Sequence, residues 1–182
     1  MSIFKLTIAD TVVAKRTQEY KNLLAFQNAF LVAFGVALVS GFWYWLVSHE
    51  VNWNASQLVL ILHLAGGGIC LLLFPIYYAL HQKDKQQRWW WILSPWLIKR
   101  DEEESVQHLR QRQLGHLVTW LMLVILLSGL VIALPGLLFY TGHVWLQGYG
   151  NFQWLMVLHI VATIALAPLL LIHILWLTRK LK

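Results

Sequence analysis

Eight histidines are spread through a chain of 182 residues. Three of them, His63, His159 and His173, lie deep inside long apolar runs, unaccompanied by any Asp, Glu, Lys or Arg. His81 and His116 sit near the edges of such runs, and His49, His108 and His143 fall in or beside polar breaks. An ionisable side chain surrounded by lipid is costly and marks a functional position by default. Spacing decides which of these rings can act together. His159 and His173 are fourteen residues apart, which at helical pitch returns to within about 40° of one face after a rise of about 21 Å. His63 and His81 are eighteen residues apart, five whole turns, so they also share a face, about 27 Å apart. Each of the two segments therefore carries two imidazoles along one stripe.

The elements that must position these rings follow from composition. The chain is 59% hydrophobic and 12% charged, whereas a soluble domain carries about 25% charged residues. A bilayer core needs about 20 consecutive apolar residues per helix. The stretch from Asn22 to Gln82 contains only Glu50 as an acidic or basic residue, and Gln113 to Thr178 contains none. Polar breaks at His49-Glu50-Val51-Asn52 and Thr141-Gly142-His143 divide these stretches into four predicted helices, about 24–48, 56–82, 115–139 and 153–177. The expected architecture is all-α, one transmembrane domain over 1–182 forming a four-helix bundle, with a loop over 83–114.

Lys and Arg are retained on the cytoplasmic side of short loops. All fourteen fall before the first helix, between the second and third, or after the fourth, which predicts both termini in the cytoplasm. This topology accounts for the net charge of +6, together with contact to anionic lipid headgroups, and no nucleic-acid partner is expected. Trp43, Trp45, Trp53, Trp145 and Trp154 near the outer helix ends, with Trp89, Trp90, Trp91, Trp96 and Trp176 near the inner ones, make the aromatic belts of two interfaces. No removable signal peptide is read at the N-terminus, where the first helix itself serves as the insertion signal. Between the hairpins, Trp89-Trp90-Trp91-Ile92-Leu93 is expected in the headgroup plane, ahead of Pro95 and the acidic run Asp101-Glu102-Glu103-Glu104.

Two parallel helices, the second and the fourth, carry His63 and His159 at the same predicted depth. Imidazoles opposed at one level across a bundle are what axial ligation of a haem iron requires. The inner pair is predicted as His81 with His173, although His81 lies about 6 Å closer to the cytoplasm. Pro75 and Pro168, between the histidines of each helix, would bend the helices toward a common level. His116 is the alternative inner ligand, and a third haem stays open because His81 and His116 have similar depth. Small residues beside the rings, Gly66, Gly67 and Gly68 after His63 and Ala162 and Thr163 after His159, are expected to make room for a porphyrin. Covalent c-type attachment uses Cys-x-x-Cys-His, and the one cysteine, Cys70, excludes that motif. The haem expected is b-type, and Cys70 is read as a small packing residue. Zinc or copper transport through the imidazoles, or a plain membrane anchor, are the rival readings.

The two halves also look like a weak repeat: Ser40-Gly41 pairs with Ser128-Gly129, and Leu62-His63 with Leu158-His159. With His159-x13-His173, and His116 followed by Ser128-Gly129, the chain resembles the bacterial di-haem cytochrome b membrane subunits found with formate dehydrogenase, nickel-iron hydrogenase and thiosulfate reductase. It departs from their pattern at Asn28, where the family usually has an inner-haem histidine on the first helix. The resemblance implies a subunit of the bacterial inner membrane that moves electrons between quinone and a partner carrying iron-sulfur clusters or c-type haems. Such a chain belongs to an oxidoreductase complex without being an enzyme alone.

Overall fold

The computed structural model describes the backbone of residues 2–47, 52–84, 105–145 and 148–179, with side chains over 18–47, 52–84, 105–145, 148 and 150–176. The chain is helical: α1 (Ser2–Leu46), α2 (Trp53–Asp84), α3 (Val106–Tyr140) and α4 (Tyr149–Arg179). There is no strand among the described residues. Segments of 29, 32, 35 and 27 residues in these helices are long and apolar enough to cross a membrane; even the shortest spans about 40 Å, against a hydrocarbon core of about 30 Å. Large apolar side chains are exposed on each helix, among them Val32 and Val39 on α1, Leu72 on α2, Leu127 on α3 and Val161 on α4, as expected when the surroundings are lipid. The chain is by this measure a multi-pass membrane protein.

Two of the helices begin well before their apolar cores. α1 starts at Ser2 where the sequence predicted about 24, because Ser2 to Lys21 holds neither Gly nor Pro to stop it. α3 starts at Val106, not 115, because the Ser105 hydroxyl accepts the His108 backbone N–H at 3.3 Å and caps the first turn. The loop expected over 83–114 is thus helical at both ends. Asn52 caps α2 in the same way, its Oδ1 accepting from Ala55 N at 3.0 Å. At the other end of α3, Gly142 adopts a φ of +83°, the left-handed conformation that closes helices and that a side chain would strain. Its N–H reaches Phe139 O at 3.0 Å, and the His143 N–H reaches Leu138 O at 3.0 Å. His49, the Trp89–Leu93 segment, Trp96 and the acidic run at 101–104 lie outside the described residues.

The chain forms two compact units, each a helical hairpin. In the first, Leu23, Phe30, Ala33, Phe34, Ala37 and Ser40 recur at helical spacing on α1 and are buried against Ser56, Gly66, Cys70 and Phe74 of α2. A Cβ on Gly66 would lie 3.0 Å from Ala33 O and 3.1 Å from Ala37 N, so the absence of a side chain lets the two backbones approach closely. Phe30 lies within 6.3 Å, ring centroid to centroid, of Phe34, Phe74 and Tyr77. Lys83 closes the far end on Glu19 at 2.8 Å. In the second hairpin the buried residues are His116, Met122, Ile125, Leu126 and Ser128 of α3 with Ala162 and Leu166 of α4.

Candidate functional site

His63 occupies a position built by α1. Its half-buried ring places Nδ1 2.8 Å from Ala37 O. A carbonyl oxygen can only accept, so Nδ1 carries the proton, and in the neutral imidazole the lone pair is on Nε2. Beneath the ring is Gly41: a Cβ there would come within 2.8 Å of both Cε1 and Nδ1, and 3.7 Å of Nε2. The preceding residue, Ser40, turns its hydroxyl back on its own helix, to Val36 O at 2.6 Å and Ala37 O at 3.2 Å.

His159 occupies the same position in the second hairpin. Its ring rests on Gly129, where a Cβ would lie 3.0 Å from Cε1, 3.5 Å from Nδ1 and 4.0 Å from Nε2. Ser128, like Ser40, bonds back to its helix, at Val124 O (2.6 Å) and Ile125 O (3.1 Å). The two ring positions differ in the acceptor: here Nδ1 lies 3.0 Å from the serine Oγ itself. The single hydroxyl proton is engaged by the backbone carbonyls, so Oγ accepts from Nδ1–H and the lone pair is again on Nε2. Thr163 Oγ1 donates to His159 O at 2.7 Å, one turn along.

Both rings are therefore fixed in one tautomer by an acceptor on the neighbouring helix of their own hairpin. This is the arrangement by which proteins orient a metal-ligating imidazole: one ring nitrogen donates to an oxygen, and the other holds the electron pair a metal takes. His63 follows Trp53, the first residue of α2, by the same interval as His159 follows Tyr149, the first of α4. Any haem held here would thus find a fixed donor nitrogen, and the glycine beside each ring gives the imidazole the space it needs.

The correspondence extends further along the helices. At the interval that separates His159 from His173, His63 is followed by Tyr77, and at the interval that separates His116 from Ser128, Ser40 is preceded by Asn28. The first hairpin thus holds a phenol and an amide where the second holds imidazoles. His173 is half-buried and rests on a third glycine, Gly115, at 3.4 Å from its Cε1 to a built Cβ. Its Nδ1 is buried and meets no hydrogen-bond partner among the described residues. His116, the neighbour of Gly115 in sequence, is 7% exposed. His81 is half-buried and stacks on Tyr77, with ring centroids 5.6 Å apart, and Tyr77 in turn stacks on Phe30 at 5.7 Å. His108 and His143 are exposed.

The small residues expected to flank a porphyrin divide into two groups. Gly66 and Ala162 are buried inside their own hairpins and serve helix packing, because close approach of two backbones is what removes them from view. A Cβ on Gly67 or Gly68 meets nothing within 4 Å among the described residues, so these positions leave open space one turn from His63. The residues that sequence reasoning did not assign to the site are the acceptors Ala37 O and Ser128 Oγ and the glycines 41, 129 and 115. The repeated Ser-Gly pair was visible as a repeat, and its position on the helix opposite each histidine was the signal of its role.

Among the described residues no three or more His, Cys, Asp or Glu side chains gather as a metal-binding group; axial ligation needs only two. Comparison with models of known families, with curated proteins and with solved structures finds no match for this chain.

Proposed function

We propose that the chain is a di-haem cytochrome b of the membrane, passing electrons across the bilayer between an outer haem on His63 and His159 and an inner haem on His173 with His81. The observation that carries this reading is the pair of imidazoles, one per hairpin, each resting on a glycine with its Nδ1 proton bonded to an oxygen of the facing helix. A hydrogen-bonded core histidine needs only one acceptor. Two such histidines with the same tautomer, the same glycine support and the same interval from the helix start are better explained by a shared ligand.

In this reading the haems supply the one-electron chemistry, and the protein tunes it through ligands, burial and hydrogen bonding. His63 and His159 present Nε2 lone pairs; Ala37 O and Ser128 Oγ hold the opposite ring protons; Gly41 and Gly129 let the rings seat without displacement. His173 rests on Gly115 of its own hairpin, and His81, on the face it shares with His63, is proposed as its opposing ligand. His116 is the competing ligand, and the two are distinguished by substitution. With the orientation read from the basic residues, the termini and the inner haem face the cytoplasm. Quinone or quinol as the diffusible electron carrier, and a redox partner subunit with iron-sulfur clusters or c-type haems, complete the proposal. Both follow from the resemblance to bacterial di-haem subunits. No nucleic acid takes part.

The test is a reduced-minus-oxidised spectrum of the purified chain together with extracted haem per polypeptide. Two haems with b-type bands are expected. Substituting His159 should remove one and spare the other; His81→Ala and His116→Ala, made separately, identify the second inner ligand by which one abolishes the remaining haem. A chain that binds no haem, and instead binds zinc or copper, would replace this reading with metal transport. Binding of neither leaves a structural anchor.

A further inference from the structure

The His63 and His159 positions differ in what receives the ring proton, and that difference falls on a side chain that can be changed. In the first hairpin the acceptor is a backbone carbonyl, Ala37 O, which also lies 3.2 Å from Ser40 Oγ. In the second it is the hydroxyl of Ser128, 4% exposed, which lies 3.0 Å from His159 Nδ1. The third glycine-supported ring, His173, has a buried Nδ1 with no acceptor among the described residues. Among the described residues, the three Nδ1 atoms thus differ: one faces a carbonyl, one a hydroxyl, and that of His173 no acceptor.

An acceptor on Nδ1–H draws the proton outward and makes Nε2 a stronger electron donor. A stronger donor stabilises the ferric over the ferrous state and lowers the reduction potential. Resting on the haem reading above, we infer that Ser128 is a positioning residue that acts through His159 to hold its haem at the lower potential. A haem held by His173, whose Nδ1 meets no acceptor among the described residues, would stand higher. The same geometry assigns no comparable part to Ser40, because His63 bonds to Ala37 O and keeps that acceptor whether or not the Ser40 hydroxyl is present.

The experiment is a potentiometric titration of the full-length chain, read from the b-type absorbance, on the native protein and three variants. The native protein should show two midpoints. Ser128→Ala should shift the lower one upward and leave the higher in place; Ser128→Thr, which keeps the hydroxyl, should restore the native value. Ser40→Ala should leave the lower midpoint unchanged or move it slightly downward, since Ala37 O loses a competing donor. His159→Ala offers a measurement independent of the folding of the serine variant: the haem it retains should be the higher one. The inference is overturned by a Ser128→Ala protein with both haems and an unmoved lower midpoint, by equal upward shifts in Ser128→Ala and Ser40→Ala, or by a His159→Ala protein that keeps the lower haem. A native chain without haem would instead overturn the reading on which the inference rests.

Discussion

The His63 ring lies where a side chain on residue 41 would begin: a Cβ at Gly41 comes within 2.8 Å of two ring atoms. Real Cβ atoms do not approach so closely, so Gly41→Ala must tilt the imidazole away from Ala37 O or push α2 outward. Overpacking of this kind costs about 1–3 kcal/mol. The expected outcome is a lower unfolding midpoint in detergent and, on the proposed haem reading, loss of haem, with Gly129→Ala, at 3.0 Å, next in severity. Gly115→Ala, where the contact is an ordinary 3.4 Å, should be mild. Haem-to-protein ratios of the three variants check this order.

Gly66 and Gly67 adjoin in sequence and should respond oppositely. A side chain at Gly66 would press on Ala33 O, Ala37 N and Ala37 Cβ at 3.0 to 3.2 Å, and residue 37 carries the carbonyl that receives the His63 proton. Gly66→Val should therefore destabilise the first hairpin by about 1–3 kcal/mol and disturb His63 with it. Gly67→Ala has nothing within 4 Å among the described residues and, by replacing a glycine in a helix, should be neutral or slightly stabilising. Thermal unfolding of both variants in the same detergent gives the comparison.

Leu166 is wholly buried, at 0% exposure. Truncation leaves a cavity in the second hairpin, and Leu166→Ala is expected to cost about 2–5 kcal/mol. Chemical unfolding in mixed micelles should show that loss. Leu72→Ala, at a side chain 73% exposed, should show little.

The Lys83–Glu19 pair joins the ends of α2 and α1 at 2.8 Å, but its side chains are 65% and 42% exposed. Exposed pairs contribute less than about 1 kcal/mol and are screened by salt. Glu19→Gln should leave the unfolding midpoint nearly unchanged at physiological ionic strength. A large drop would mean that the pair lies in a drier environment than its exposure indicates.

What could be read from the residues alone differs between fold and site. The four helices were legible because a long charge-free stretch has one physical outcome in lipid, and the break at Thr141-Gly142-His143 was legible because Gly142 supplies the left-handed residue of the turn. The helix starts were not, since hydropathy reports where lipid begins and not where backbone hydrogen bonding does. Ser105 as the cap of α3 was the overlooked signal. The common face of His63 and His81, and of His159 and His173, follows from pitch. That His63 and His159 rest on Gly41 and Gly129 does not, because it depends on the rotation of each helix about its partner. The Ser-Gly repeat hinted at a shared structure; the split between Ala37 O and Ser128 Oγ as acceptors required coordinates.

Each of the two imidazoles is anchored by an atom of its own hairpin. His63 is tied to α1 through Ala37 O, and His159 to α3 through Ser128 Oγ. The rings lose their rotamer freedom when a hairpin closes, so a cofactor arriving later does not have to supply that ordering free energy. Such preorganisation is complete within each hairpin, so a ligand that binds either ring meets a side chain whose proton is already committed to an oxygen.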